Sequence, residues 1–427
     1  MEEPIELVTE YQRKLNKNSS AISREHLKVL GIKKQTDISS YFAILDADIK
    51  FSRPIWWWVI DIFTVQEDFE NIDTAEFAKD FVENDAFFVL DHSADPVSAE
   101  AITEHHFSKL FELFDLFKIP KNRIIVLSPC LDYIFWSNNY TQSIVRKREL
   151  IPYEGEYKHF TFNRLFKLSQ WAFNYYGEMY GRGKITNFEK QVECHFLSMS
   201  RRDSYVRRFN NYLYHKNDYF NKGIISHNRI SDTTIPNEDS ENEYYLKQFK
   251  TRDDFDTALY RDKGHLKHHI DELGKSYNYR YKGITFNDYH THNRFSKKVC
   301  FEVVIESQAE NLFITEKTLK PIVCKSPFLF IGPPYGLAYL KKLGFETYES
   351  VFNEDYDKEQ IFYDRMLLVH KNIERLTQMS VEECHAYLSK TKEILDFNHN
   401  HFLNSDWSFN LNSNINNYIT KTLAQRH

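Results

Sequence analysis

The run FEVVIE, Phe301 to Glu306, is followed after a loop by Thr315-Glu316-Lys317 and then by a second apolar run, Pro327 to Ile331. A further helical stretch closes at Gly344. Strand, loop, helix and strand in that order point to a parallel α/β unit. A helix that opens just after a strand makes an anion site, because its first N–H groups have no partner within the helix. Lys317 and Lys320 fall early in this helix, where a cation opposes the macrodipole; a bound phosphate would offset that repulsion. Pro321 has no N–H to give, so the pattern requires a kink at Pro321 or a helix start later than Thr315.

The same alternation recurs upstream. Tyr41 to Leu45, Phe87 to Leu90 and Ile124 to Leu127 read as short strands, with helical periodicity from Ala99 to Phe117. Tyr157 to Tyr180 reads as a second, aromatic-rich helical stretch, and Gly177 to Gly183 as a hinge. His195 to Met199 then reads as a strand, followed by Ser200-Arg201-Arg202-Asp203-Ser204 and a helix with Val206, Phe209 and Leu213 on one face. From Asp357 to Met379, Phe362, Met366, Val369, Ile373 and Leu376 line one side of an amphipathic helix. At 427 residues the chain suits two domains, expected here as 1–185 and 186–427, the latter including the C-terminal helices.

Composition narrows the partners. A formal charge of −6 argues against a broad nucleic-acid-binding face while leaving room for a local basic cleft. The five cysteines are scattered without paired metal spacing and read as reduced, mostly small buried hydrophobes. No basic-then-apolar leader and no apolar run of membrane-spanning length appears; Ile55 to Phe63 is too short and contains Asp61. The expected location is therefore the cytoplasm of the producing or host cell. Aromatics make up 16% of the chain, and core volume is their first use. Trp56-Trp57-Trp58 cannot share one strand face, so at least one indole belongs to a core.

The segment 301–357 resembles the donor-binding half of GT-B glycosyltransferases. More narrowly, it is similar to the fucosyltransferase-like enzymes and to related viral and phage glycosyltransferase-like proteins. The elements that carry the likeness are the strand ending in Glu306, Thr315-Glu316-Lys317 with Lys320-Pro321, and Pro327-Phe328. Leu343-Gly344-Phe345 and Asn353-Glu354-Asp355-Tyr356-Asp357 continue it. The resemblance implies a GT-B-like α/β fold, two Rossmann-like domains facing each other across a cleft. It also implies transfer of a sugar from a nucleotide-sugar donor to a glycan or other hydroxyl acceptor, with inversion and with no obligatory metal or other cofactor. Lys317, Lys320 and Arg201 or Arg202 would then hold the departing diphosphate, and Glu306 or Glu316 would accept from ribose or sugar hydroxyls, with Thr315 at the helix start. Two departures bear on donor identity: Ser307 and Ser200 stand where the family commonly has Asn.

The base for the acceptor hydroxyl is expected from the first domain. Asp91, His92 and Asp95 follow the Phe87 to Leu90 strand, with Asp95 the first choice, although a strand-end Asp is also a frequent turn former or cap. Asp46-Ala47-Asp48 offers oxygen ligands of the kind that hold Mg²⁺ or Mn²⁺, but too little chain precedes it for a nucleotide-binding region; a turn is the better reading. His268, His269, His290 and His292 lack the spacing of a closed metal site and read as surface histidines. Two alternatives stay open. One is a non-catalytic nucleotide- or glycan-binding protein, such as a viral, particle-associated component. The other is a glycosyltransferase acting on nucleic-acid bases.

Overall fold

The computed structural model describes residues 51–53, 55–59, 74–91, 118–128, 158–163, 165–167, 169–170, 173–174, 183–200, 205–219, 221–227, 289–306, 312–407 and 410–425. It is a mixed α/β protein with two four-stranded parallel sheets, each in its own compact unit. The first unit comprises 1–168 together with 406–427; the second is 169–405. The expected boundary near residue 185 therefore differs from the observed division, and the last 22 residues group with the first unit rather than with the second.

The first sheet runs β1 (Ile55–Val59), β2 (Phe87–Asp91), β3 (Ile124–Ser128) and β4 (Lys158–Thr161), side by side in chain order. Side chains alternate across a strand. Ile55, Phe87, Val89, Ile125 and Leu127 thus form one face, and all five are buried. That face is covered by the C-terminal helix α9 (Leu411–Ala424), through Leu411, Ile415 and Ile419. Tyr418 Oη donates to the Asn122 carbonyl at 2.8 Å, and Ser52 N donates to Asn416 Oδ1 at 3.2 Å. This packing is why the end of the chain belongs to the first unit. Trp56 points to the other face, 2% exposed, and its indole N–H donates to Asp80 of α1 (Thr74–Glu83) at 3.1 Å.

β4 corrects the helical reading of Tyr157 to Tyr180. Four residues are too few to show a period, and pairing to β3 through Ile125↔Lys158 and Leu127↔Phe160 decides their conformation. Helical backbone follows at the described positions from 165 to 174. The expected strand at Tyr41 to Leu45, the helix at Ala99 to Phe117, Asp46, Asp48, His268 and His269 lie outside the described residues.

The second sheet holds β5 (Cys194–Ser200), β6 (Gly223–His227), β7 (Val299–Ile305) and β8 (Phe328–Ile331), in the order β6-β5-β7-β8. All seven residues of β7 are buried, as expected of a central parallel strand covered on both faces. Among the described residues α3 (Tyr289–Ser296), α4 (Glu316–Val323), α6 (Phe362–Thr377) and α7 (Val381–Leu388) pack on the sheet, and α2 (Tyr205–Lys216) meets it through Tyr214, whose ring centroid lies 5.3 Å from that of Phe196. α5 (Gly336–Lys342) follows β8, and α8 (Lys392–Asn404) packs on α4. The apolar stripes read for α2 and α6 are the faces they bury: Val206, Phe209, Leu213, Met366, Val369, Ile373 and Leu376 are all at most 3% exposed. β8 is an edge strand, and Tyr356 covers that edge by accepting from Phe330 N at 3.2 Å through its hydroxyl.

Candidate functional site

In an open parallel sheet, ligands bind beyond the carboxyl ends of the strands where the strand order reverses. The second sheet has such a point: β5 comes first, β6 lies to one side, and β7 and β8 lie to the other. The chain leaving β5 is 201–204 and the chain leaving β7 begins at Glu306, so both sequence-selected segments depart from neighbouring strand ends. Arg201 and Arg202 themselves lie outside the described residues, as do His92 and Asp95. Asp91 ends β2, with its backbone in register with Val59 and Leu127.

Glu306 extends the β7–β8 ladder by one bond, its N–H donating to Ile331 O at 2.8 Å. Its side chain, in a residue 1% exposed, accepts from Thr315 N at 3.0 Å, from Thr315 Oγ1 at 2.5 Å and from Thr318 Oγ1. Three donors satisfy a buried carboxylate that would otherwise carry a large desolvation cost. The carboxylate thus ties the end of the strand to the start of α4. Thr315 is the N-cap of that helix, in extended conformation, and its hydroxyl oxygen accepts from Lys317 N at 3.2 Å.

The first-turn N–H groups of α4 are engaged within the protein, contrary to the expectation that they await a phosphate. Thr315 N goes to Glu306, Lys317 N to the capping hydroxyl, and Thr318 N and Leu319 N to Thr315 O. The Glu316 carboxylate accepts from its own backbone N–H. What the helix start offers outward is side chains. Lys317 Nζ donates to Glu316 Oε1 at 2.8 Å and to Thr315 Oγ1 at 3.3 Å. Burial pushes the Glu316 carboxyl upward most strongly, but the Lys317 and Lys320 charges and its hydrogen bonds outweigh it and hold the pKa below the usual value. Glu316 is therefore an anion near neutral pH, flanked by two lysines only partly buried.

Pro321 is explained without a kink or a late start. It sits in the last turn of an eight-residue helix, where its missing N–H forfeits one bond to Lys317 O. Lys325, at φ 53°, then ends the turn.

The neighbouring helix start is closed in the same manner. Asp357 accepts from Leu337 N at 2.8 Å and from Ala338 N at 3.0 Å, and its carbonyl accepts from Tyr335 N at 2.6 Å. Burial raises the Asp357 carboxyl despite those bonds.

Sequence reasoning missed a second polar cluster, running from the middle of β7 to its amino end. His292 is buried and bonds Glu302 Oε2 at 2.8 Å, which corrects the surface reading of that histidine. Burial works against the Glu302 charge, but the His292 interaction and Lys190 hold its pKa low. Lys190 Nζ donates to Ser296 O, Val299 O and Ser326 Oγ at 2.7, 3.1 and 2.9 Å, and burial lowers its pKa to about 8. With all three ammonium donors used, Lys190 fastens the amino edge of the sheet. The signal available beforehand was Glu302 itself, a charge inside an apolar strand. Among the described residues, no group of three or more His, Cys, Asp or Glu is arranged to hold a metal ion. No helix among them is long and apolar enough to cross a membrane.

Fold and site together define an α/β protein with one sheet that reverses its strand order next to a lysine-flanked helix start. No family model, curated protein or solved structure matches the chain.

Proposed function

We propose that the chain is a GT-B-like glycosyltransferase that moves a sugar from a nucleotide-sugar donor to an acceptor hydroxyl, with inversion and without an obligatory metal. The carrying observation is that 201–204 and Glu306–Lys320 leave adjacent strand ends at the reversal point of the second sheet. In this reading the acceptor oxygen attacks the anomeric carbon, the bond to the diphosphate oxygen breaks, and Lys317, Lys320 and Arg201 or Arg202 offset the charge that leaves. Asp95, or Asp91 or His92 beside it, takes the acceptor proton. Glu316 receives hydroxyls of the donor, while Glu306 positions Thr315 and Thr318.

One observation favours a second reading. The Thr315 cap and the Glu306 carboxylate consume N–H groups that a phosphate would use, which suits a protein that binds a nucleotide or glycan without transferring a sugar.

Thermal unfolding against nucleoside diphosphates and nucleotide sugars, with and without EDTA, separates the two, since a ligand of the native state raises the midpoint with the logarithm of its concentration over its dissociation constant. Transfer is supported by a selective rise that survives EDTA, disappears in Lys317→Ala, and is matched by turnover of the same nucleotide sugar. Binding without turnover supports the second reading. Unchanged binding and turnover in Lys317→Ala would remove the central assignment.

A further inference from the structure

We infer that Tyr335 is the stacking platform for the nucleobase of the donor, a reading that rests on the nucleotide-sugar function above.

Tyr335 has φ 63° and ψ 18°, in the left-handed region. Five other described non-glycine residues have positive φ, and they are Asp85, Lys118, Asp218, Lys325 and Asn410. Asp and Asn tolerate this region and glycine enters it freely, whereas a bulky residue there is an outlier. The sequence around it is Gly332-Pro333-Pro334-Tyr335-Gly336, so glycines stand on either side of the position that would most benefit from one. Those two glycines are needed for space. A Cβ at Gly332 or Gly336 would come within 2.4 or 2.2 Å of the Phe330 ring. Local geometry therefore accounts for both glycines but not for the tyrosine.

The strained backbone is fixed from outside. Tyr335 N donates to Asp357 O at 2.6 Å, and the Asp357 carboxylate holds the next turn through Leu337 N and Ala338 N. Such over-determined strain gathers at ligand clamps and active sites. The result is an aromatic side chain 50% exposed, with neither ring nor hydroxyl paired to another described residue. Among the tyrosines of this unit whose burial is described, those at 214, 219, 289, 339, 348 and 356 are buried and those at 363 and 387 partly buried, so Tyr335 is the one presented outward.

Its position selects the ligand part. Ile331, the last residue of β8, is in register with Ile305, the last of β7. Tyr335 thus emerges four residues beyond the strand next to the one that ends in Glu306, with neighbouring strands ~4.8 Å apart. A nucleoside diphosphate held by its phosphates near Lys317 would carry its base one ribose away, toward the adjacent strand end from which Tyr335 emerges. An aromatic ring recognises the π-face that every base offers, without base-specific hydrogen bonds.

The test compares the dissociation constants of GDP, UDP, ADP, CDP and inorganic pyrophosphate for wild type, Tyr335→Phe, Tyr335→Asn and Tyr335→Gly. Stacking predicts that Asn and Gly weaken the preferred nucleoside diphosphate by about fivefold or more, the factor equivalent to ~1 kcal/mol of stacking. Phe should bind like wild type, and pyrophosphate should be indifferent to all three. Glycine should also leave the unfolding midpoint equal or higher, which separates lost stacking from lost folding. Equal nucleotide affinity in Asn and Gly, or an equal loss for pyrophosphate, overturns the assignment of Tyr335 alone. If wild type binds none of the four nucleotides, the nucleotide-sugar reading falls and this inference with it.

Discussion

Among the described residues both units build four parallel strands, but the first adds them in chain order, β1-β2-β3-β4, while the second starts in the middle, β6-β5-β7-β8. A sheet laid down in one direction sends successive helices over the same face and leaves no crevice between its loops. A sheet that reverses sends them over opposite faces, so the loops at the reversal part and open a cleft. Among the described residues, then, the second unit carries the feature that places ligands. The two also differ in what closes them. The first depends on α9, a helix from the far end of the chain, while the second is fastened at both ends of β7 by charged side chains, Glu306 just beyond its carboxyl end and Lys190 at its amino end.

The largest test of that contrast is Ile419→Ala. Ile419 is fully buried among Ile55, Phe87 and Leu127, and its truncation should cost ~2–5 kcal/mol. If the units unfold separately, urea denaturation should show the transition of the first unit moving while that of the second stays. A uniform shift of all signals would show that the two are not independent in stability.

Glu306→Gln probes the fastening at the carboxyl end of β7. Glutamine keeps one acceptor oxygen but turns two N–H donors toward a site already supplied with three, so a loss of ~1–3 kcal/mol is expected in the second unit. Hydrogen exchange at Thr315 and Lys317 N–H should quicken. Protection equal to wild type would mean that the carboxylate does not hold the start of α4.

The last effect is absent at neutral pH and graded below it. His370, buried on α6 with Nε2 bonded to Asn210 Oδ1 at 3.0 Å, has its pKa lowered by burial to about 3. The unfolded chain takes up a proton near the ordinary histidine value of 6.5 that the folded chain refuses. Its contribution is therefore complete above pH 6.5 and is lost as pH falls from there toward 3, by up to ~1.4 kcal/mol per pH unit. Comparing wild type with His370→Gln at pH 7 and pH 5 isolates it. A stability difference that does not change between these two values would show that His370 does not remain neutral in the fold.

Long periodic segments were legible in the chain itself. α2 and α6 bury the residues their spacing assigns, because an amphipathic helix fixes its inner face once it meets any core. β2, β3, β5, β7 and β8 were legible as mainly apolar runs, since strands covered on both faces admit few polar residues, and those only where a partner such as His292 for Glu302 is supplied. The opening of α4 at Thr315-Glu316-Lys317 was legible as well, although Pro321 left a later start or a kink open until the structure placed it in the last turn. β4 was not: four residues, Lys158 to Thr161, carry no period, and only the edge offered by β3 makes them a strand.

Sequence by itself thus determined where α/β units lie and which tripeptide, Thr315-Glu316-Lys317, opens the helix after β7. Three matters belonged to the tertiary structure. It assigned Leu411, Ile415 and Ile419 to the first sheet, whose last strand ends at Thr161 and so lies 250 residues (411 − 161) before Leu411, a pairing that no local pattern encodes. It spent the amide groups of α4 on Glu306 and Thr315, leaving lysine side chains as the outward charge. It also paired His292 with Glu302, turning an apparent surface histidine into a buried one. The physical reason is common to all three. Helix and strand periodicity are properties of neighbouring residues, whereas burial and hydrogen-bond satisfaction depend on which distant groups the fold brings near.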